Sequence, residues 1–422
     1  MRALFLIQEH GRSGGASVVD SYARALAERH GWDVDVALTD PRSAAAGLPD
    51  AGYDVAVATW WATAGSLWEV RARRRAVFLQ SVESRFYEER HHFERFAAEQ
   101  VLSLPVAYIT VARWIRDVLA ELRPDASCAV VRNGIDKDVF APRPDGPGEG
   151  PLRVLVEGQP SMWFKGVQDG VAAVRAMTEP AELTVVAADP AAAGELGGAR
   201  VVGGLDPAEM AAEYARHDVL LKLSRVEALA LAPLEAFHVG VPAVVAAYTG
   251  NEEYMRHGVN GLVVSHDDLP GTAGALDALA RDRALLGTLS HGALATARDW
   301  PSAEQAAGEF AAALEGVAAG PEPDPGAALH SLQRAQRRRL ELSREHARQA
   351  EAVLAGVRGE VIWNAEGLEH ARAENLELHA AMRDAQAHID SVYQRIEAMR
   401  SERAYRAAVK LRRLLRPFRR GA

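Results

Sequence analysis

Cysteine is nearly absent. Cys128 is the single thiol in 422 residues, which excludes an intramolecular disulfide and fits a reducing compartment. No uncharged apolar run reaches the ~18 residues a membrane-spanning helix needs. The N-terminal stretch Ala3 to Ile7 is strand-length and soon followed by charge, so neither a transmembrane helix nor a signal peptide is expected. These absences point to the cytoplasmic side. Lysine is also scarce, at positions 137, 165, 222 and 410 only, with arginine supplying the other positive charges. A lysine in this chain therefore asks for a reason. The net charge of −9 hides an asymmetry, because residues 404–422 carry seven basic residues and no acid; removing that +7 from −9 leaves −16 for the rest. An acidic body argues against general nucleic-acid binding, and a basic end argues for an anionic surface.

What is present is apolar content enough for two cores, at 48% hydrophobic residues. Strand-like runs fall at Ala3 to Gln8, Asp33 to Leu38, Tyr53 to Ala58, Ala76 to Leu79, Ala107 to Thr110 and Ser127 to Val131, with helix-period segments between them. That alternation predicts a parallel sheet covered by helices on both faces. The proline- and glycine-rich stretch Ala141 to Pro151 reads as the linker to a second domain. Further strand runs follow at Arg153 to Glu157, Leu183 to Ala187, Ala199 to Val202 and Val219 to Leu223, with another after Pro242. A helix from Ser302 to Leu314 is expected next. The fold class is α/β, two doubly wound Rossmann-like domains at residues 1–148 and 149–318.

In such sheets the loops at the carboxyl ends of strands hold the ligand. Four stretches belong there. Ser224 to Glu235 places Glu227 on a strand-to-helix loop and Glu235 one or two turns into the helix, so both carboxylates can face one site. Lys165-Gly166 opens a helix, where an ammonium and the helix N-terminus could share a diphosphate. Gly14-Gly15 starts the first helix, where bare backbone N–H groups can approach phosphate or sugar. Finally, Trp60, Gln80 and Glu83 follow two strands of the first domain and could hold an acceptor sugar by stacking and hydrogen bonds.

The spacing Glu227-x7-Glu235, followed by Ala236, Gly240-Val241-Pro242, Gly250 and Asn260-Gly261, resembles the donor-site signature of retaining nucleotide-sugar glycosyltransferases of the GT-B fold, family 4. Val131 to Asp136 is similar to that family's closing signature of the first domain, and the likeness runs from residue 1 to about 315. The loops around Trp60 and Gln80 resemble, more weakly, a subgroup that builds rhamnose-containing surface polysaccharides. The resemblance implies donor contacts from Gly14, Gly15, Lys165, Gly166, Ala230, Leu231 and Glu235. Glu227 would position the donor sugar, Lys165 would stabilise the leaving diphosphate, and Glu235 would accept from the ribose hydroxyls. It implies no metal and no cofactor beyond the nucleotide-diphosphate sugar, and a last helix that crosses back onto the first domain. Two departures stand out. Gln159 and Pro160 occupy the places where the family usually has an arginine, so either Arg225, Arg132 or Lys222 compensates or the donor is bound more weakly than is usual. Ala228 to Leu231 stands where glycines are common.

Residues 319–328 read as a second linker. Over residues 329–403 a heptad register follows, with Leu340, Ala347, Leu354, Val361, Leu368, Asn375, Met382, Ile389 and Ile396 spaced by seven. This predicts a left-handed coiled coil, in which Asn375 at an a position favours a parallel homodimer; a helical hairpin is the alternative. The tail, residues 404–422, sets Tyr405, Leu411, Leu415 and Phe418 on one helical face with Arg412, Arg413 and Arg416 around them, the pattern of an interfacial helix on anionic lipid. The expected function is sugar transfer to a saccharide or lipid-linked glycan in cell-surface polysaccharide synthesis, at the cytoplasmic face of the membrane. A nucleotide-sugar epimerase on the same fold and a weakly catalytic coiled-coil scaffold are the competing readings.

Overall fold

The computed structural model describes residues 1–321 apart from 10–13, 40–50, 145, 147, 192–195 and 197, together with helical positions between 330 and 406. Two compact units are present, Met1–Ala328 and Leu329–Ala422. Among the described residues no helix is long and apolar enough to cross a membrane.

The first unit holds two six-stranded parallel sheets. Strands β1 (Arg2–Ile7), β2 (Asp33–Leu38), β3 (Gly52–Ala58), β4 (Arg71–Leu79), β5 (Ala107–Thr110) and β6 (Cys128–Val130) pair in the order β2-β1-β3-β4-β5-β6. Strands β7 (Leu152–Glu157), β8 (Ala181–Ala187), β9 (Arg200–Gly203), β10 (Val219–Lys222), β11 (Ala243–Ala246) and β12 (Gly261–Val264) pair in the order β12-β11-β10-β7-β8-β9. The apolar runs explain both centres: Ala3 to Leu6 and Leu220 to Leu221 are fully buried, as strands covered on both faces must be. Strand order reverses between β1 and β3 in one sheet and between β7 and β10 in the other, so each has a crevice at its carboxyl edge.

Helices α1 (Gly14–His30), α2 (His92–Val101) and α3 (Arg113–Leu122) accompany the first sheet. With the second come α4 (Val167–Arg175), α5 (Pro207–Ala215), α6 (Leu231–Val239), α7 (Leu269–Arg281) and α8 (Arg283–Asp299). Helix α9 (Ala303–Ala319) then returns to the first sheet, as the family resemblance implied. It starts where the Ser302 hydroxyl accepts the Gln305 N–H, and its Phe310 ring stacks on Tyr22 of α1 at 4.4 Å between centroids. The chain crosses between the sheets twice, and the two crossings are tied together: Ile135 N–H donates to Pro301 O, Ala303 N–H to Ile135 O, and the Trp300 indole N–H to Asn133 O.

Several boundaries differ from the sequence reading. Strand β4 begins at Arg71 rather than Ala76, because the charged residues have partners: Arg75 donates to Leu67 O, Arg74 to Gly320 O and Arg73 to Asp54. Helix α9 runs to Ala319, five residues past the expected end. The stretch expected as a linker after Ala141 is fastened, with Arg143 donating to the carbonyls of His217 and Val239.

In the second unit, the His379 imidazole lies 3.7 Å from the Glu351 carboxylate. One continuous helix would separate residues 28 apart by about 42 Å. The described segments around Glu351 and His379 therefore lie side by side within one chain, as in the hairpin alternative; much of the register expected over residues 329–403 lies outside the described residues. The expected lipid-binding residues Tyr405, Leu411, Arg412, Arg413, Leu415, Arg416 and Phe418 lie outside the described residues.

Candidate active site

Strands β7 and β10 are neighbours across the switch point of the second sheet, and they end in opposite charges. Lys222, the last residue of β10, sends its ammonium to the Glu157 carboxylate at 2.6 Å and to Glu227 at 3.2 Å. It is 2% exposed. An ammonium is buried only when paired. Burial works against its charge, yet Glu157 and Glu227 together hold the proton above the ordinary lysine range.

The loops after these strands are laced together. Arg225 N–H donates to Phe164 O at 2.7 Å. Gly166 packs so closely on Leu223 that a Cβ would sit 2.1 Å from its carbonyl, and its φ of 64° is a conformation glycine adopts freely. This lacing brings Lys165 from one loop to Glu227 on the other, Nζ to Oε1 at 2.9 Å. Glu227 is buried, which alone would raise its pKa, but the Lys165 and Lys222 ammonium groups and the Ser224 hydroxyl hold it down to about 2. Glu235, one turn into α6, accepts the Tyr214 hydroxyl at 3.0 Å. Burial and the nearby Glu157 carboxylate lift it to about 7, against the pull of Tyr214 and Lys222. Gly166 caps α4, while Ala230 caps α6 and Leu231 begins it, so both helix N-termini end at these loops.

Across the cleft, Gly14 and Gly15 form the first turn of α1, and Gly15 lies against the Gln80 carboxamide. Trp60 stacks on Phe86 with 6.0 Å between centroids. Glu83 is buried, and its carboxylate accepts Trp61 N–H at 2.6 Å, fastening the 3-10 turn Trp61–Trp68; burial pushes it up to about 8. Its first role is thus to hold the Trp60-Trp61 loop.

Of the three candidates for the absent arginine, Arg225 is committed to Asp169 and Asp267, and the Arg132 guanidinium covers the Trp300 indole. Lys222 alone enters the carboxylate cluster. Gln159 pairs with the backbone of Asp189.

Sequence reasoning missed the residues that join the two sheets. The Trp163 indole N–H donates to Phe86 O, and the Phe86 and Phe164 rings are 5.0 Å apart. The Trp114 indole N–H donates to Ala228 O at 2.9 Å. Gly250 fits beside them because it has no Cβ, which would lie 1.9 Å from Ala228 O. Tyr214, holding Glu235, was missed too. Strong flanking signals such as Gly250 were visible, but these aromatic partners lie far apart in sequence. Among the described residues no group of three or more His, Cys, Asp or Glu side chains could hold a metal ion.

Comparison with known proteins fits this arrangement. Residues 152–282, the body of the second sheet, match the family described as glycosyl transferases group 1. The match spans 131 of the 422 residues. The whole two-sheet unit has the GT-B fold. A sucrose-phosphate synthase from Thermosynechococcus elongatus superposes with a TM-score of 0.63 at 18% identity, over 75% of this chain and 98% of that one. HepE of Anabaena, solved with UDP and glucose, superposes with a TM-score of 0.58 at 16% identity, over 75% and 99%. An exopolysaccharide phosphotransferase of Streptomyces coelicolor is 44% identical over 81 residues, which is 18% of this chain; the match spans 8% of the relative's length. Within the matched residues 152–282 lie Glu157, Lys165, Lys222, Glu227 and Glu235, that is, the whole charged cluster at the switch point.

Proposed function

We propose that the protein is a retaining glycosyltransferase of family 4 that moves a hexosyl or rhamnosyl-type residue from a nucleotide-diphosphate sugar to a saccharide or lipid-linked glycan in surface polysaccharide synthesis. The observation that carries the reading is the Lys165–Glu227–Lys222 cluster at the switch point of a group 1 domain. The donor diphosphate takes the Lys165 ammonium, the N-termini of α4 and α6 at Gly166, Ala230 and Leu231, and the Gly14-Gly15 turn. Glu227, held ionised, accepts hydroxyls of the donor sugar, and Glu235 those of the ribose. Gln80, Trp60 and the Glu83-braced loop face the acceptor.

The acceptor oxygen bonds to the anomeric carbon on the face from which the bond to the phosphate oxygen breaks. The departing phosphate takes the acceptor proton, and Lys165 stabilises the charge that develops there. No metal is assigned a role. Support for the donor class comes from the UDP-bound relative, and for the polysaccharide setting from the exopolysaccharide relative. The basic tail, through Leu411, Arg412, Arg413, Leu415 and Arg416, would hold the enzyme at the cytoplasmic face of an anionic membrane.

Incubation of the full chain with a panel of UDP-, dTDP- and GDP-sugars, with and without saccharide acceptors, tests this. Nucleotide diphosphate release that requires an acceptor is expected. Interconversion of the sugar without release would replace transfer by epimerisation. Failure to bind any donor would leave only a scaffold.

A further inference from the structure

Charge at the switch point does not balance for a diphosphate ligand. The carboxylates of Glu157, Glu227 and Glu235 outnumber the two ammonium groups of Lys165 and Lys222. Arg225 is occupied by two aspartates, and Gln159 by the Asp189 backbone. An entering diphosphate needs positive charge from elsewhere.

Arg85 lies in the short 3-10 turn Glu83–Phe86, between β4 and α2. Its guanidinium lies 5.3 Å above the Trp114 indole, and Nη2 donates to the Thr249 hydroxyl of the second sheet at 3.4 Å. That is one long hydrogen bond from a group with five donors. Trp114 in turn donates to Ala228 O, beside Glu227, and Thr249 precedes the close-packed Gly250. Among the described residues no carboxylate pairs with Arg85, and it is half-buried. Burial lowers its pKa from the ordinary arginine value with nothing acidic to offset it. A planar guanidinium fixed over an indole, with unused donors beside the donor loops, suits bidentate contact with a phosphoryl oxyanion.

We propose that Arg85 reaches across from the first sheet to bind a phosphoryl group of a substrate in the cleft, supplying the charge that Gln159 does not. The inference rests on the nucleotide-sugar reading above. The phosphoryl group is the donor's diphosphate or a phosphate carried by the acceptor, and the chemistry of recognition is the same. Because Arg85 belongs to the first sheet and Lys165 and Lys222 to the second, this charge is complete only with the two sheets together, as they are here.

Calorimetric titration of the full chain with UDP, uridine and inorganic phosphate tests the assignment. Arg85→Gln should weaken UDP binding about ten- to hundredfold, leave uridine binding unchanged and flatten the salt dependence. Arg85→Lys should keep part of the affinity. Thr249→Val, which removes the same cross-cleft bond without touching the cation, should bind UDP as the wild type does. Loss of phosphate binding with UDP affinity kept would assign Arg85 to an acceptor phosphate. Equal binding of UDP and phosphate by wild type and Arg85→Gln would overturn the proposal, as would an equal loss in Thr249→Val. Lys165→Ala separates it from the broader reading: UDP binding lost there but untouched in Arg85→Gln keeps the donor site and removes Arg85 from it.

Discussion

Lys222→Met is the perturbation whose cost follows most directly from the geometry. Methionine matches the lysine stem in bulk but removes an ammonium held 2.6 Å from Glu157 and 3.2 Å from Glu227. Glu227 keeps Lys165 at 2.9 Å, whereas Glu157 loses the one ion pair it makes among the described residues. Removing one partner of a buried pair costs about 3–5 kcal/mol, because the other charge is left without compensation. Glu157 is more exposed than Lys222, with 28% of its side chain accessible, so the lower end of that range applies, about 3 kcal/mol. Adding Glu157→Gln should return a part of the loss, with a coupling of about 1–3 kcal/mol. Urea denaturation of the wild type, both single variants and the double variant measures all four corners. A Lys222→Met protein within about 0.5 kcal/mol of wild type, or a double variant whose loss equals the sum of the singles, would refute the reasoning.

With the proposed ribose contact, UDP affinity should fall as pH drops through the Glu235 pKa of about 7, since the carboxylate is a stronger acceptor than the neutral acid; calorimetry from pH 5.5 to 8.5 should show this slope in wild type and none in Glu235→Gln. Glu83 has its pKa raised from 4.5 to about 8, so the native state holds a proton the unfolded chain releases. Its contribution to stability is full below pH 4.5 and is lost as pH rises to about 8, so the urea midpoint of wild type should drop from pH 5 to pH 8 by more than that of Glu83→Gln. Phe310→Ala should cost about 3–5 kcal/mol, read by the same denaturation, because the ring is fully buried against Tyr22 and Phe5.

The sheets were legible because their strands are uninterrupted apolar runs, and a strand buried on both faces has no other composition open to it. The Glu227 and Lys165 loops stood out through the family resemblance and the scarcity of lysine, and the structure brings their side chains to 2.9 Å. Arg71 to Arg75 was not legible, since four arginines in five residues look like a surface loop until each partner is known. The heptad register left two readings open for a related reason: periodicity reports which face of a helix is apolar, and the same stripe serves a partner chain or the chain's own return. Arg85, Trp114 and Tyr214 act through residues more than twenty positions away, and a single sequence carries no sign of such meetings.

The paired crossings at Ile135 and Ser302 have a mechanical consequence. Two separate tethers would let the sheets slide, twist and tilt independently, but two strands hydrogen-bonded side by side behave as a single pivot. Rotation about it is the soft motion left, and displacement grows with distance from the axis. Phe86 with Phe164, and Arg85 with Thr249, join the sheets at other points. A small angular opening would part them while leaving Trp300 seated on Asn133, so the molecule would breathe like a book whose spine never loosens.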